Sequence, residues 1–351
     1  MDEPFIARLE QSCDTKWHAI DRAAERTQTE LRRIGTALAK FDDPSTSIIA
    51  TGSYGRGEVT GKSDLDWILL IDGPSDPNHL KLARGIESEL AKMEIKSPGP
   101  TGTFGSLVDS HELVHHIGGT SDTNENLTRR VLLLTESVAL THPEIRERVI
   151  RNVLSRYVVH DRPIASRSDR KPSRIPHFLL NDVVRYWRTI ASDFASKMWE
   201  RAGEGWAIRN VKLRFSRKLI FVAGLLTCFS AEILRPVPLE GASDDEAFFV
   251  LLADFIREQS NLQPLEKLAR TILPYPETAL KILGPYDFFL SILDDESERE
   301  VLEKVTFEQA PSNEIYNRLR DRSQEFRDGI ERLFFDDDPD LRRLIRKVGV
   351  F

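Results

Sequence analysis

Thr51-Gly52-Ser53-Tyr54-Gly55-Arg56-Gly57-Glu58, followed by Ser63-Asp64-Leu65-Asp66-Trp67-Ile68-Leu69-Leu70-Ile71, decides how this chain of 351 residues is read. The run places a glycine-serine turn 11 residues ahead of two aspartates spaced i, i+2, at the mouth of an apolar segment. Residues two apart on a strand point to the same face, so both carboxylates project together. Two like charges held that close are costly unless a divalent cation sits between them. The pair therefore asks for Mg²⁺, and the turn upstream asks for a phosphate.

Working outward, Ser47 to Ala50 reads as a short strand feeding the turn, and Leu65 to Ile71 as a second strand ending at Asp72-Gly73-Pro74. Upstream, residues 4–40 carry apolar side chains at helical spacing and read as one long amphipathic helix. Downstream, 79–93 reads as a helix. The glycine-rich passage 98–105 follows, then a strand end at 106–109 and helices over 110–117 and 123–138. Beyond residue 140 the pattern is helical almost throughout, with breaks at Gly203-Gly205, Pro236-Val237-Pro238 and Gly284-Pro285 among others. The expected fold class is α+β: a small mixed-sheet domain over 1–140, including the helix 4–40, followed by an all-α domain over 141–351.

Composition is that of an ordinary globular chain, 40% hydrophobic and 30% charged, long enough for a sizeable core. The longest apolar run, Leu219 to Phe229, is too short to cross a bilayer, so no membrane partner is expected. Asp2 and Glu3 open the chain where a secretion signal would be basic and apolar. Two cysteines, Cys13 and Cys228, have no metal spacing, which suits a reducing cytoplasm. The net charge of −7 hides an asymmetry. Asp161 to Lys218 holds 14 Lys/Arg and 6 Asp/Glu, a balance of +8 that leaves −15 elsewhere. Such a basic segment is a candidate surface for polyanions, or a set of helices with cationic outer faces.

Gly52-Ser53 and the later Asp64-x-Asp66 resemble the signature of the DNA polymerase β-like nucleotidyltransferase superfamily. The fuller run, Gly52 to Glu58 and Ser63 to Asp66, looks most like the uridylyltransferase half of the enzymes that modify the PII nitrogen-signalling protein. The resemblance is strong over about residues 46–72, faint from there to about residue 140 and architectural only for the helical remainder. It implies that Gly52 lets the backbone approach a triphosphate and that Ser53 offers its hydroxyl and N–H to the β- or γ-phosphate. Asp64 and Asp66 would hold two Mg²⁺ ions (or Mn²⁺) about 3.5–4 Å apart, for in-line displacement at the α-phosphorus and release of pyrophosphate. Arg56 and Lys62 are candidates to steer phosphates, or are charges on a loop. Such sites carry a third carboxylate that also takes the acceptor's proton. Asp109 and Glu112 are its candidates here, although Asp109-Ser110-His111-Glu112 also reads as a box opening the next helix.

Two other motifs compete. His111-Glu112-Leu113-Val114-His115 matches a zinc-peptidase pattern, with Glu136 as a tolerable third ligand. Gly57 to Ser63 approaches a P-loop but has three residues between its glycines where four are needed. In the helical region, Arg185-Tyr186-Trp187-Arg188, Trp199, Arg201, Trp206, Arg209, Lys212, Arg214, Arg217 and Lys218 interleave aromatic and basic residues. That composition suits a nucleotide or single-strand groove, with Lys218 among the first positions for nucleotide contact; bundle-core aromatics are the alternative.

The expectation is an Mg²⁺-dependent enzyme moving a nucleoside monophosphate from a nucleoside triphosphate to an acceptor. The basic stretch favours template-independent oligonucleotide or nucleotide-signal synthesis, as in bacterial defence. The resemblance nominates a protein hydroxyl. A nucleotide sensor without turnover and the zinc peptidase are the alternatives.

Overall fold

The computed structural model describes residues 3–96, 105–165, 172–200 and 203–349. Helices α1 (Phe5–Cys13) and α2 (His18–Leu38) precede β1 (Thr46–Thr51), the short α3 (Gly52–Arg56) and β2 (Asp66–Ile71). Next come α4 (Asn78–Lys92), β3 (Ser106–Asp109), α5 (Ser110–His115), α6 (Asn124–Thr135) and β4 (Val138–Ala139). The remainder is helical: α7 (Pro143–Ala165), α8 (His177–Glu200), α9 (Trp206–Lys212), α10 (Lys218–Leu234), α11 (Val237–Glu240), α12 (Asp245–Ser260), α13 (Pro264–Ile272), α14 (Pro276–Asp294), α15 (Glu296–Lys304), α16 (Glu314–Arg332) and α17 (Pro339–Leu344). The class is α+β, with the sheet confined to the first part of the chain.

The sheet is mixed, in the order β3-β2-β1-β4. β1 runs antiparallel to β2 and β4, and β2 runs parallel to β3. Strand alternation sends Ile48, Ala50, Trp67 and Leu69 to one face, where they pack with Ile34 and Leu38 of α2 and Ile86 and Leu90 of α4. Ile49, Ile68, Leu70 and Val108 face the other way and join an apolar core that runs on through the helices to Leu344. Asp66 shares this second face with Ile68 and Leu70, which turns it toward the helical region.

Three expectations are corrected. The single helix over 4–40 is two helices, because Asp14 takes a left-handed conformation (φ 47) and the Glu10 carboxylate accepts from the Trp17 N–H, 3.0 Å. The helix expected over 123–138 stops at Thr135: Glu136 leaves helical backbone and Val138–Ala139 becomes β4, pairing with Ile49 and Ala50. A two-residue strand is too short to show a period. The break expected at Gly284-Pro285 is absent. α14 runs through Pro285, and the ~3 kcal/mol such a proline costs is offset by burying Ile282, Leu283, Tyr286, Phe289 and Leu290.

Between α9 and α10 the chain does not break either. Leu213–Arg217 forms a π-helical turn that joins the two into one long arm. No helix among the described residues is long and apolar enough to cross a membrane, and Cys13 and Cys228 are both free thiols.

Candidate active site

β1 ends by delivering the chain into α3 through Gly52, whose φ of +65 an L side chain rarely adopts. What holds this turn is Glu136, a residue distant in sequence. Its Oε1 accepts from the Gly52 N–H (3.1 Å) and its Oε2 from Arg56 Nη1 (2.6 Å). The Glu136 main chain closes the same contact: a Cβ on Gly55 would fall 1.6 Å from its carbonyl oxygen. The first, fourth and fifth residues of α3 thus rest on one glutamate, which is fully buried.

Arg56, also buried, bonds through Nε to Glu58 Oε2 (2.7 Å), and Glu58 Oε1 accepts from the Tyr286 hydroxyl of α14 (2.6 Å). Burial works against the Arg56 charge, and Glu58 and Glu136 more than offset it, so the guanidinium stays protonated. The network ties the turn to the helical region. It also spends the charge of Arg56 on structure.

Asp64 and Asp66 line one cleft of about 400 Å³ with Gly52 and Ser53. Among the described residues, neither carboxylate makes an ion pair or a side-chain hydrogen bond, and the Ser53 hydroxyl is equally without a partner. Burial, and then the neighbouring Asp64 charge, push the Asp66 carboxyl up to about 6, with Arg217 pulling the other way. Among the described residues, two neighbouring acids thus stand without a direct ion-pair partner.

The opposite wall comes from the helices. The α9–π–α10 arm contributes Arg209, Lys212, Leu213, Ser216 and Arg217, and α8 contributes Tyr186, Ile190, Asp193, Phe194 and Lys197. Positions 209, 212, 213 and 216 follow i, i+3, i+4, i+7, one face of a helix; the π turn adds 217 to it. Burial lowers Lys212 to about 8, while Asp64 opposes the fall and Arg299, Arg217 and Arg56 add to it. Arg217 Nη1 lies 4.0 Å from Glu136 Oε1. Cations therefore face the acid pair across the cleft, an arrangement suited to a polyphosphate carrying its own metal.

Not every expected site residue comes to this place. Asp109 pairs with Ile71, at the opposite end of β2 from Asp66. Five strand positions separate them, roughly 17 Å, and Glu112 follows on α5. The β3 residue level with Ile68, on the face that Asp66 shares, is Ser106, whose hydroxyl accepts from Arg129 (2.9 Å). Lys62 turns away to Glu296 (2.8 Å) and Glu300 (2.6 Å) of α15. Lys218 falls off the cleft-facing stripe and lies toward Arg214 and Arg327, which, after burial, lower it to about 8. Arg56 lines the cleft but is committed to Glu58 and Glu136. The zinc motif does not assemble: the rings of His111 and His115 are 4.6 Å apart on α5, while Glu136 is buried beside Gly52. The glycine-rich residues 98–104, Arg201 and the side chain of Trp199 lie outside the described residues.

Sequence reasoning missed the role of Glu136, since nothing in sequence ties it to Gly52, 84 residues earlier. The α9 stripe was legible in principle, because Arg209, Lys212 and Ser216 recur at helical spacing.

Hard carboxylate oxygens without a protein partner fit Mg²⁺ or Mn²⁺. Among the described residues no group of three or more His, Cys, Asp or Glu side chains gathers to hold an ion, so Asp64 and Asp66 would be the protein's own donors. No curated protein and no solved structure matches the chain significantly. Residues 31–97, which carry the end of α2, the Gly52-Ser53 turn, both aspartates and α4, match the family model described as a nucleotidyltransferase domain.

Proposed function

We propose that this protein is a metal-dependent nucleotidyltransferase that moves a nucleoside monophosphate from a nucleoside triphosphate to an acceptor hydroxyl. The observation carrying this reading is the unpartnered Asp64–Asp66 pair beside Ser53, facing Lys212 and Arg217 across one cleft. Residues 1–140 bring the acids and the turn, and residues 141–351 bring the facing cations.

Each side chain then has a task. Gly52 and Ser53 receive the phosphate chain, the Ser53 hydroxyl donating to an oxygen of the β- or γ-phosphate. Asp64 and Asp66 would hold the metal, which when bound supplies positive charge to the triphosphate. Lys212 and Arg217 take up charge that develops on the departing pyrophosphate. The ionised Lys212 and Arg217 lie on one rigid arm, so positioning needs little reorganisation.

The company of the cleft supports one class of acceptor. Lys197, Arg209, Lys212 and Arg217 line it from the basic part of the chain, which favours a phosphate-bearing acceptor: template-independent oligonucleotide or nucleotide-signal synthesis. The test is mass spectrometry of products after incubation with Mg²⁺ and all ribo- and deoxyribonucleoside triphosphates. An oligomer ladder or a cyclic species supports the reading. A mass increment on a protein points instead to the protein hydroxyl that the Gly52 to Glu58 resemblance nominates.

A second reading has one observation in its favour. The sheet presents Ser106, not a carboxylate, beside β2, as a nucleotide sensor without turnover would. Binding of triphosphate with no pyrophosphate released, whatever the acceptor, decides for the sensor.

A further inference from the structure

We propose that Asp193 of α8 is the general base that takes the proton from the acceptor hydroxyl, an assignment resting on the nucleotidyl-transfer reading of the cleft. Attack by the acceptor hydroxyl is helped by a base beyond the two acids that grip the metal, and among the described residues β3 puts no carboxylate beside Asp66. Ser106 is level with Ile68, two positions along from Asp66, and Asp109 is level with Ile71 at the far end.

Among the described residues, four carboxylates line the cleft: Glu58, Asp64, Asp66 and Asp193. Glu58 is buried and spent, accepting from Arg56 Nε (2.7 Å) and from the Tyr286 hydroxyl (2.6 Å). Asp64 and Asp66 form the cation pair. Of the described carboxylates Asp193 remains, and among the described residues it makes no ion pair or hydrogen bond.

Its place suits the task. Tyr186, Ile190, Asp193 and Lys197 follow i, i+4, i+7, i+11, so one face of α8 looks into the cleft. Tyr186 is fully buried at the inner end of that stripe, whereas Asp193 is solvent-exposed. The acids and the turn form the opposite wall. The exposure of Asp193 lets the base return its proton to water.

In the step itself, the Asp193 carboxylate accepts the acceptor's hydroxyl proton as the acceptor oxygen forms its bond to the α-phosphorus. The bond from the α-phosphorus to the bridging oxygen breaks. Pyrophosphate leaves with that electron pair.

The test compares Asp193→Asn, Asp193→Ala and Asp64→Asn in the full chain, each checked by circular dichroism for an unchanged fold. Readouts are pyrophosphate release and calorimetric binding of an α,β-methylene nucleoside triphosphate with Mg²⁺. Asp193→Asn is expected to lose about 10²–10⁴-fold in kcat with triphosphate affinity kept within about two-fold, and formate is expected to restore part of the activity of Asp193→Ala. Activity of Asp193→Asn within about three-fold of wild type overturns the assignment, as does a loss of triphosphate binding matching the loss of kcat. Wild type active and Asp64→Asn dead, with Asp193→Asn unaffected, sinks this base and leaves the transfer reading standing. A wild-type protein inert with every acceptor overturns both.

Discussion

A side chain on Gly52 would place its first carbon 2.5 Å from the Oδ2 of Asp66. The backbone of the turn and the carboxylate are therefore in van der Waals contact, and glycine is what permits it. The +65 φ of Gly52 adds a second requirement for the same residue.

Gly52→Ala is accordingly expected to displace Asp66 as well as strain the turn. Turnover should fall by at least about 100-fold, with a stability loss of about 1–3 kcal/mol. Initial-rate measurements and urea unfolding check the two effects, and an alanine variant with near-normal kcat would remove the steric argument.

Asp66→Asn should separate function from stability. The Asp66 carboxyl titrates at about 6 when folded, against an ordinary value of 3.8. Between those values the native state keeps a proton that the unfolded chain has released. Stability of the metal-free protein thus falls as pH rises from about 4 to 6 and stays lower above. Asparagine abolishes this cost. The variant is expected to be inactive yet more stable by about 1–3 kcal/mol at pH 7 without metal, as read by chemical denaturation in EDTA.

The same proton competes with the metal. Half-saturating Mg²⁺ for wild-type turnover should rise as pH falls below about 6, up to ten-fold per unit for one competing proton. Titrations of Mg²⁺ at pH 5, 6 and 7 test this; a requirement independent of pH would place the metal elsewhere.

Glu136 does not itself line the cleft, but Glu136→Gln turns an acceptor toward the lining residues Arg56 and Arg217 into an amide that can present donors. A buried guanidinium losing one of two carboxylate partners should cost about 3 kcal/mol. The loosened Gly52–Ser53 turn should raise KM for the triphosphate. Thermal unfolding and steady-state kinetics together distinguish this from a change confined to stability.

The three lysines give an internal contrast. Lys212→Met is expected to weaken triphosphate binding about 10–100-fold, while Lys62→Met and Lys218→Met stay within about two-fold, since neither faces the cleft. Lys212 loses its charge as pH rises through about 8, so wild-type affinity should decline from pH 7 to 9 and that of Lys212→Met should change less. Calorimetry at constant ionic strength reads both.

Much of this was legible from local chemistry. The Ser47–Ala50 and Leu65–Ile71 segments announced strands by β-branched and apolar content, and β1 and β2 form there. Asp109 and Glu112 show where such reading ends. Their distance from Asp66 depends on β3 running parallel to β2 with Asp109 level with Ile71, and no property of residues 106–112 states that register. Lys62 and Lys218 fail for a related reason: a lysine's partner is whatever packs opposite it, here α15 for one and the Arg214–Arg327 side for the other.

By itself the chain of residues determined the turn, the two aspartates after it and the strand they open, because those depend on steric preferences within a few residues. Only tertiary structure decided that Glu136 would seat Gly52, that one face of the α9–π–α10 arm would carry Lys212 and Arg217 to the acids, and that β3 would set Asp109 level with Ile71, away from them. Those pairings join segments tens of residues apart, and their energies come from burial and charge neutralisation that exist only once the helices have closed on the sheet.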